Sequence, residues 1–242
     1  MAHGTPDWWG ASPKSTTYSG MDTSELAARI GPIVSIDRRG DVIFQDNFDH
    51  GTAKIYPWGT GANWDVYPYC DSPLSGGLHL MLETGEEEGA TAGITKELQY
   101  PVLGSIGLEC AFVPDGDVRY CRLSITEWLP PNNRKWMISY NHTNGKLEIL
   151  RSNGTYGVLA TPGIVYGGYN DYTTIKLVIN ILLVRYERVI FNEHTYIATA
   201  HSGYVSAGGT YKCMTCDAYI DANVAQGATA SLDNFLITQN EP

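Results

Sequence analysis

The chain has 242 residues, of which 43% are hydrophobic and only 17% charged, and its formal net charge is −10. This composition supports a packed core and argues against global disorder, while the negative charge argues against binding to nucleic acid or anionic membranes. Because 26 Gly and 12 Pro supply many turns, we expect a protein built from many short strands. We see neither an apolar signal-peptide core nor a run long enough to span a bilayer, so we expect a protein without a signal peptide that stays outside membranes.

The first 44 residues are predicted to form an N-terminal segment separate from the rest. Trp8 and Trp9 lie in a polar stretch, and such large rings are costly to leave in water. One hypothesis is an arm that docks on another subunit, and the alternative is that both rings pack on their own domain. The capping-box pattern Asp22–Glu25 predicts a helix of about two turns. A hairpin with Gly40 at its turn is predicted to follow.

From Gln45 onward the sequence alternates between apolar and polar residues in short segments, separated by turns rich in Gly, Pro and Asn. This pattern, with almost no helical periodicity, predicts a two-sheet sandwich for residues 45–242. The predicted strands lie around residues 77–83, 91–98, 104–113, 118–128, 134–141, 146–151, 155–160, 172–180, 184–192, 211–221 and 230–238.

The two strands with the clearest alternation are joined by an unusually apolar turn. Hairpin turns usually carry Gly, Asn, Asp or Pro. An apolar turn is either packed against another part of the chain or covered by a neighbouring subunit, and both readings stay open. The turn consists of Ile181, Leu182, Leu183 and Val184.

The five cysteines do not predict a disulfide framework, because their number is odd and two of them fall on predicted core strands. Cys213 and Cys216 form a single CxxC pair. This pair has neither a second pair of zinc ligands nor the βαβ context of a redox motif, so we predict no chemical role for it.

Several segments together resemble concanavalin A-like or laminin-G-like jelly rolls. Asp46–Gly51, followed by Trp58, resembles the opening strand. Lys176–Asn180 and Tyr186–Asn192 resemble the long central strands, and Ser231–Thr238 resembles the closing strand. The resemblance covers about residues 45–240 and implies an all-β, two-sheet antiparallel jelly-roll sandwich behind an N-terminal arm, short helix and hairpin. It does not fix a function, because this fold hosts lectins, glycanases and structural modules.

The whole layout also resembles proteins encoded by tailed bacteriophages and related bacterial genomes. The matching residues are Pro6–Trp8, Glu25–Arg29 and Asp37–Val42. This resemblance implies a structural protein of a virion, either a capsid decoration protein or a tail-associated subunit, made in the host cytoplasm. We expect it to form homo-oligomers or to contact other virion proteins.

Two kinds of site are predicted for the sandwich. A structural Ca²⁺ often joins the first and last strands of jelly rolls, and Asp46, Asp49 and Asp233 lie at matching places; the alternative is that Asp46 and Asp233 bond to nearby backbone N–H groups. No other cofactor is expected. Exposed aromatic rings can stack on sugars, although each ring could equally pack in the core or in an interface. The candidate rings are Trp128, Trp136, Tyr140 and Trp64, with Trp58, Tyr67 and Tyr69 in the same loop as Trp64.

Catalysis is not expected. Glycanases need two carboxylates that face one cleft, but Glu83, Glu97, Glu109 and Glu127 each lie alone in or beside a predicted strand. The main hypothesis is therefore a non-enzymatic virion protein. A lectin-like, carbohydrate-binding module for surface adhesion is the alternative, and a glycanase is a weaker one. In the main hypothesis the assembly contacts are Trp8, Trp9, Ile181, Leu182 and Leu183.

Overall fold

The computed structural model describes residues 39–71, 73–74, 76–99, 104–165, 171–208, 212–225 and 227–242. The predicted arm with Trp8 and Trp9, the short helix and the first strand of the hairpin lie outside the described residues. Within the described ranges every regular element is a β-strand, and none of these residues belongs to a helix that could cross a membrane.

Sixteen strands follow one another along the described part of the chain. They are β1 (Asp41–Asp46), β2 (Tyr56–Gly59), β3 (Asp65–Tyr69), β4 (His79–Glu83), β5 (Thr91–Leu98), β6 (Ser105–Pro114), β7 (Val118–Leu129), β8 (Asn132–Asn141), β9 (Lys146–Leu150), β10 (Tyr156–Ala160), β11 (Thr173–Asn180), β12 (Arg185–Phe191), β13 (His194–Ile197), β14 (Tyr204–Ala207), β15 (Cys213–Ala222) and β16 (Thr229–Gln239).

The strands form two antiparallel sheets of eight strands each. The first sheet has the order β13-β12-β11-β6-β16-β4-β3, and β1 pairs with β16 beside β4. The second sheet has the order β10-β9-β8-β7-β15-β5-β2, and β14 pairs with β8. The predicted all-β sandwich is confirmed, and its topology is consistent with a jelly roll. Strand β1 crosses the predicted boundary between residues 44 and 45, where it joins the first sheet.

Every strand predicted from the alternation is present, with ends within about two residues of those expected. The strands that the pattern did not predict are β2, β3, β13 and β14, all short and at or beside a sheet edge. Pro57 and Pro68 interrupt the pattern of β2 and β3, and proline is tolerated mainly in edge strands. Edge strands bury few side chains, so their sequences alternate weakly.

The main core lies between the two sheets and is built from alternate residues of the long strands. On β7, Leu123 and Ile125 point inward, and on β15 Ala218 and Ile220 do the same; all four are fully buried. Because successive side chains in a strand point to opposite faces, the intervening residues of β7 and β15 point outward from the second sheet.

The outer face of the first sheet carries a buried group of charges that holds the C-terminus. The Lys176 ammonium lies 2.7 Å from Glu241 Oε1 and 4.0 Å from Glu109 Oε2. Arg188 donates to Glu241 Oε2 at 2.5 Å, and its other terminal nitrogen donates to the carbonyl of Pro242. The side chains of Lys176, Arg188 and Glu241 are 1%, 7% and 0% exposed. These charges therefore lie where water screens them little.

The apolar turn between β11 and β12 divides its residues between core and solvent. Ile181 is only 1% exposed and belongs to the main core, whereas Leu182 and Leu183 are 60% and 56% exposed. Ile181 was thus wrongly predicted as a subunit contact, because its side chain is used inside its own domain. Leu182 and Leu183 remain available for the predicted contact.

Candidate functional site

The outer face of the second sheet combines aromatic, charged and hydroxyl side chains. Paired positions on successive strands align into one row across this face. From β2 to β9 this central row consists of Trp58, Gly93, Tyr219, Arg122, Ser139 and Glu148.

Gly93 lets the two aromatic residues of the central row touch. The ring centroids of Trp58 and Tyr219 are 5.2 Å apart, although their strands are separated by β5. A Cβ atom on Gly93 would lie 2.3 Å from Tyr219 Cβ and 2.5 Å from the carbonyl oxygen of Ala218. No other residue fits there without movement of the backbone, so glycine is required for this aromatic contact.

Arg122 lies at the centre of the row with aromatic rings around it. Its guanidinium carbon is 4.3 Å from the Tyr120 ring centroid, 5.6 Å from that of Tyr156 and 5.7 Å from that of Tyr219. Its terminal nitrogen lies 3.2 Å from Asp221 Oδ2. Burial raises the pKa of Asp221, and the nearby arginine opposes this rise. Three aromatic rings and one carboxylate therefore hold the guanidinium in place.

A small apolar cluster separate from the main core lies on the same outer face, among these groups. It consists of Met137, Leu150 and Tyr219, with Trp58 and Tyr204 packed against it. The Tyr219 hydroxyl lies 3.5 Å from Met137 Sδ, and burial raises the pKa of Tyr219 to about 12, so this phenol stays protonated at neutral pH. The cluster fixes the positions of the rings in the free protein.

Tyr156 stands at the β10 end of this surface. It donates a hydrogen bond to Met137 Sδ at 3.0 Å while 44% of its surface stays exposed. The ring is thus anchored at its hydroxyl, while nearly half of the residue stays exposed to solvent. Such a ring can receive a ligand with little further loss of side-chain entropy.

A buried polar group lies beside the central row. Asp217 accepts hydrogen bonds from Ser124 Oγ at 2.6 Å and from Thr95 Oγ1 at 2.7 Å. Burial raises the pKa of Asp217, and these hydrogen bonds lower it only in part. Burial also shifts the pKa of Lys135, on β8 two strands away, and lowers it. Each group is held in an environment that disfavours its charged form.

The raised pKa of Asp217 predicts a pH-dependent change in stability. The folded state binds the proton on Asp217 more tightly than the unfolded state does. Proton binding therefore stabilises the fold fully below the unfolded pKa, and this contribution is lost as pH rises through the folded pKa. We expect Asp217→Asn to be more stable than the wild type at pH 7 in urea unfolding, with the difference disappearing near pH 3.

Asp49→Asn is the matched control for this experiment. The pKa of Asp49 is lowered, chiefly by the backbone N–H of Gly77, which donates to its carboxylate at 2.7 Å. This carboxylate stabilises the fold above its unfolded pKa, so the substitution has the opposite sign at pH 7. Equal effects of the two substitutions at pH 7 would contradict the burial penalty at Asp217.

The four rings predicted to bind glycans lie in three different places. Trp128 lies on the outer face of the second sheet, partly buried, and its Nε1 donates to Thr215 Oγ1 at 3.2 Å. Trp136 and Tyr140 were wrong predictions: both are 0% exposed because they share the inward side of β8 with Ile138. Trp64 is 37% exposed but packs over Gly59, outside the central row.

The central row contains residues that the sequence did not single out, namely Arg122, Tyr219 and Ser139. One signal was present in β7, where Tyr120, Arg122, Ser124 and Thr126 alternate with the apolar residues Cys121, Leu123 and Ile125. This alternation marks one face of the strand as polar and aromatic. The sequence did not show that β15, β10 and β2 would place their own aromatic residues beside that face.

The structure does not bring the three predicted calcium ligands together as one site. Asp46 Oδ1 accepts the Phe48 N–H at 2.9 Å, Asp233 accepts the N–H groups of Leu74 and Asn234, and Asp49 accepts that of Gly77. Among the described residues no group of three acidic, histidine or cysteine side chains could hold a metal ion. These hydrogen bonds fit the alternative in which Asp46 and Asp233 bond to nearby backbone N–H groups, and a structural Ca²⁺ stays a prediction.

The remaining candidates for chemistry are also separated. Glu109 lies in the first sheet and Glu127 in the second, where Arg134 donates to it at 3.1 Å, so these two do not face one cleft. Cys213 and Cys216 are three positions apart on β15 and point to opposite faces, and both are free thiols. They cannot act as one pair.

Solved structures share this sandwich. The chain is similar to the cellulose-induced protein Cip1, with a TM-score of 0.53 and 11% identity over 81% of this chain and 96% of that one. It is also similar to an endo-β-1,4-glucuronan lyase from the fungus Trichoderma reesei, with a TM-score of 0.50 and 11% identity over 82% and 96% of the two chains. A family 16 carbohydrate-binding module is more distant, at a TM-score of 0.41, 12% identity and coverage of 82% and 100%.

At these identities the similarities show the fold alone. No protein-family profile matches the chain, and no curated protein sequence matches it. A functional conclusion therefore depends on the residues of the outer face.

Proposed function

We propose that the chain is a carbohydrate-binding protein and that it holds its glycan on the outer face of the second sheet, across the central row. Sugar rings present apolar C–H faces and a rim of hydroxyl groups. A site for them needs exposed aromatic faces together with hydrogen-bonding groups that are fixed before the ligand arrives. The central row and its neighbours supply both.

The observation that carries this proposal is a set of buried polar atoms with no hydrogen-bond partner among the described residues. Trp58 Nε1, Arg122 Nε and Ser139 Oγ are such atoms, and all three belong to the central row. Buried donors and acceptors are almost always satisfied, by protein, by water or by a ligand. Trp58 and Arg122 keep part of their side chains exposed, so the hydroxyl groups of a sugar can approach their nitrogens, whereas Ser139 is fully buried and reaches a sugar only if neighbouring side chains move.

The aromatic residues supply the stacking surfaces. Trp58 is partly exposed and packs on Tyr219, while Tyr156 is 44% exposed and contacts Arg122 from another side. The two rings therefore flank the polar centre of the face. The names of two proteins with the same sandwich refer to polysaccharides, cellulose and glucuronan, which is consistent with this use of the fold.

A glycan array probed with the intact chain tests the proposed function. We expect the chain to bind a set of related oligosaccharides, with affinity that rises with length until the central row is filled. Absence of binding to all glycans on an array that covers plant, fungal and bacterial polysaccharides would contradict it.

A second proposal is a structural role in a phage-type virion, which need not exclude glycan binding. The observation that favours it is the exposure of Leu182 and Leu183 at the β11–β12 turn, since adjacent leucines exposed at a turn often mark a protein contact. Light scattering of the purified chain tests it. A defined oligomer that Leu182→Ser and Leu183→Ser together dissociate supports this role, and a monomer at high concentration contradicts it.

A further inference from the structure

A pocket of about 610 Å³ opens where β1 of the first sheet meets the start of β2, the end of β5 and the start of β15. Phe44, Ile55 and Leu98 form apolar parts of its wall. Its size lies within the range of small-ligand sites, roughly 300–1,000 Å³. It is large enough for one sugar residue.

Lysines are concentrated at this pocket. Lys54, Lys96 and Lys212 all line it, although the sequence has only seven lysines and a net charge of −10. Among the described residues that line it, Glu97 is the only acidic one, so these side chains together carry a net positive charge. Lys54 also lies 4.0 Å from Asp46 Oδ1. Because charges beyond a Debye length of about 8 Å are screened in physiological salt, an anion inside the pocket responds mainly to the three lysines, Glu97 and Asp46.

Lys96 is held in position before any ligand binds. Its ammonium donates to the backbone carbonyl of Lys54 at 2.9 Å and lies 4.4 Å from the Phe44 ring centroid. An ammonium has three N–H donors, so one can point towards a ligand while the other contacts persist. A lysine fixed in this way loses little side-chain entropy on binding an anion.

Tyr56 lies between the pocket and the proposed glycan face. Tyr56 is 68% exposed, lines the pocket and is two residues from Trp58 on β2. Side chains two residues apart in a strand share one face, so a chain of sugars that stacks on Trp58 can extend past Tyr56. Lys96 is on the inward side of β5 with Ile94, so the next residue of such a glycan reaches the lysines only by turning over the edge strand β2.

We propose that this lysine pocket is an anion-binding subsite that accepts an acidic sugar, through the carboxylate or sulfate group of that sugar. The proposal rests on the proposed function, because it treats the pocket as the end of the glycan face. It specifies the ligand class as a glycan with at least one acidic residue. A phosphate or sulfate ion alone shares the chemistry of the site but lacks the sugar ring.

Calorimetric titration with single sugars tests this subsite. The probes are glucuronic acid, glucose 6-sulfate, glucose and inorganic sulfate. We expect both acidic sugars to bind at least roughly tenfold more tightly than glucose at low salt, with the preference shrinking as salt is added. Inorganic sulfate should compete with them but bind more weakly.

Variants assign the binding to the pocket. We expect the double variant Lys54→Gln/Lys212→Gln to lose most of the preference for acidic sugars. The control variant Lys146→Gln should keep it, because Lys146 lies on β9, near the opposite edge of the second sheet from the pocket. Equal binding of glucose and glucuronic acid, or an unchanged preference in the double variant, would overturn the proposal. Inorganic sulfate binding as tightly as the acidic sugars would also overturn it, since the pocket would then recognise the ion alone.

The proposal for the outer face and the proposal for the pocket can be contradicted independently. If the array shows binding only of neutral glycans, the proposed function stands and the acidic subsite is wrong. If Trp58→Ala abolishes oligosaccharide binding but glucuronic acid keeps its affinity for the pocket, both are supported. If glucuronic acid binds while no oligosaccharide does, the pocket is an independent site and its place in a glycan face is wrong.

Discussion

Replacement of both Trp58 and Tyr156 by alanine is expected to lower glycan affinity about 100-fold. Each ring contributes roughly 1.5 kcal/mol by stacking on a sugar, and about 1.4 kcal/mol corresponds to a tenfold change in affinity. Tyr156 is half-exposed and Trp58 is partly exposed, so neither ring belongs to the main core. Titration of the best glycan from the array against wild type and variant measures the change.

The matched control replaces Trp64 and Tyr69 instead. Trp64 is 37% exposed and Tyr69 is 41% exposed, close to the 44% of Tyr156, but neither lies on the outer face of the second sheet. This variant removes the same types of ring from the surface and should keep its affinity within about twofold. Equal losses in the two double variants would show that the glycan does not bind at the central row.

Glu241→Gln is expected to lower the free energy of unfolding by about 3–5 kcal/mol, as observed when one partner is removed from a buried ion pair. Glu241 contacts Lys176 through one carboxylate oxygen and Arg188 through the other, and both cations are at least nine-tenths buried. The amide of glutamine carries no charge and presents an NH₂ group to one of the two cations. Urea unfolding followed by tryptophan fluorescence measures the loss.

Glu187→Gln serves as the control for charge removal at the surface. Glu187 pairs with Arg185 at 3.1 Å, but the arginine side chain is 39% exposed and solvent screens the pair. Exposed pairs of this kind contribute about 0–1 kcal/mol. If both substitutions cost less than about 1 kcal/mol, the C-terminus does not hold the first sheet in the way described.

The sequence predicts the long strands well because their apolar residues recur every second position, and this period depends only on burial of one face. It does not predict which outer face is covered. Lys176 alternates with Ile175 and Leu177 as an exposed strand residue would, yet it is 1% exposed because its partners include the C-terminal Glu241. That contact joins residues 65 positions apart and leaves no local pattern.

The glycan-face residues show the same limit. Trp136, Ile138 and Tyr140 occupy every second position of β8 and therefore point to the same side of the strand. This spacing alone could have assigned the two aromatic residues to the core. Tyr219 and Arg122 could not have been joined from the sequence, because their contact depends on the pairing of β15 with β7. Periodicity therefore identifies the side of each strand, whereas a site built across strands needs the register.

The most direct test of the glycan face is an NMR titration of the ¹⁵N-labelled chain with an oligosaccharide that the array identifies. We expect the largest amide shift changes at Arg122, Ser139 and Tyr219 and at their neighbours on the second sheet, with little change on the first sheet. Shift changes centred on the first sheet or on the Leu182–Leu183 turn would contradict glycan binding at the central row.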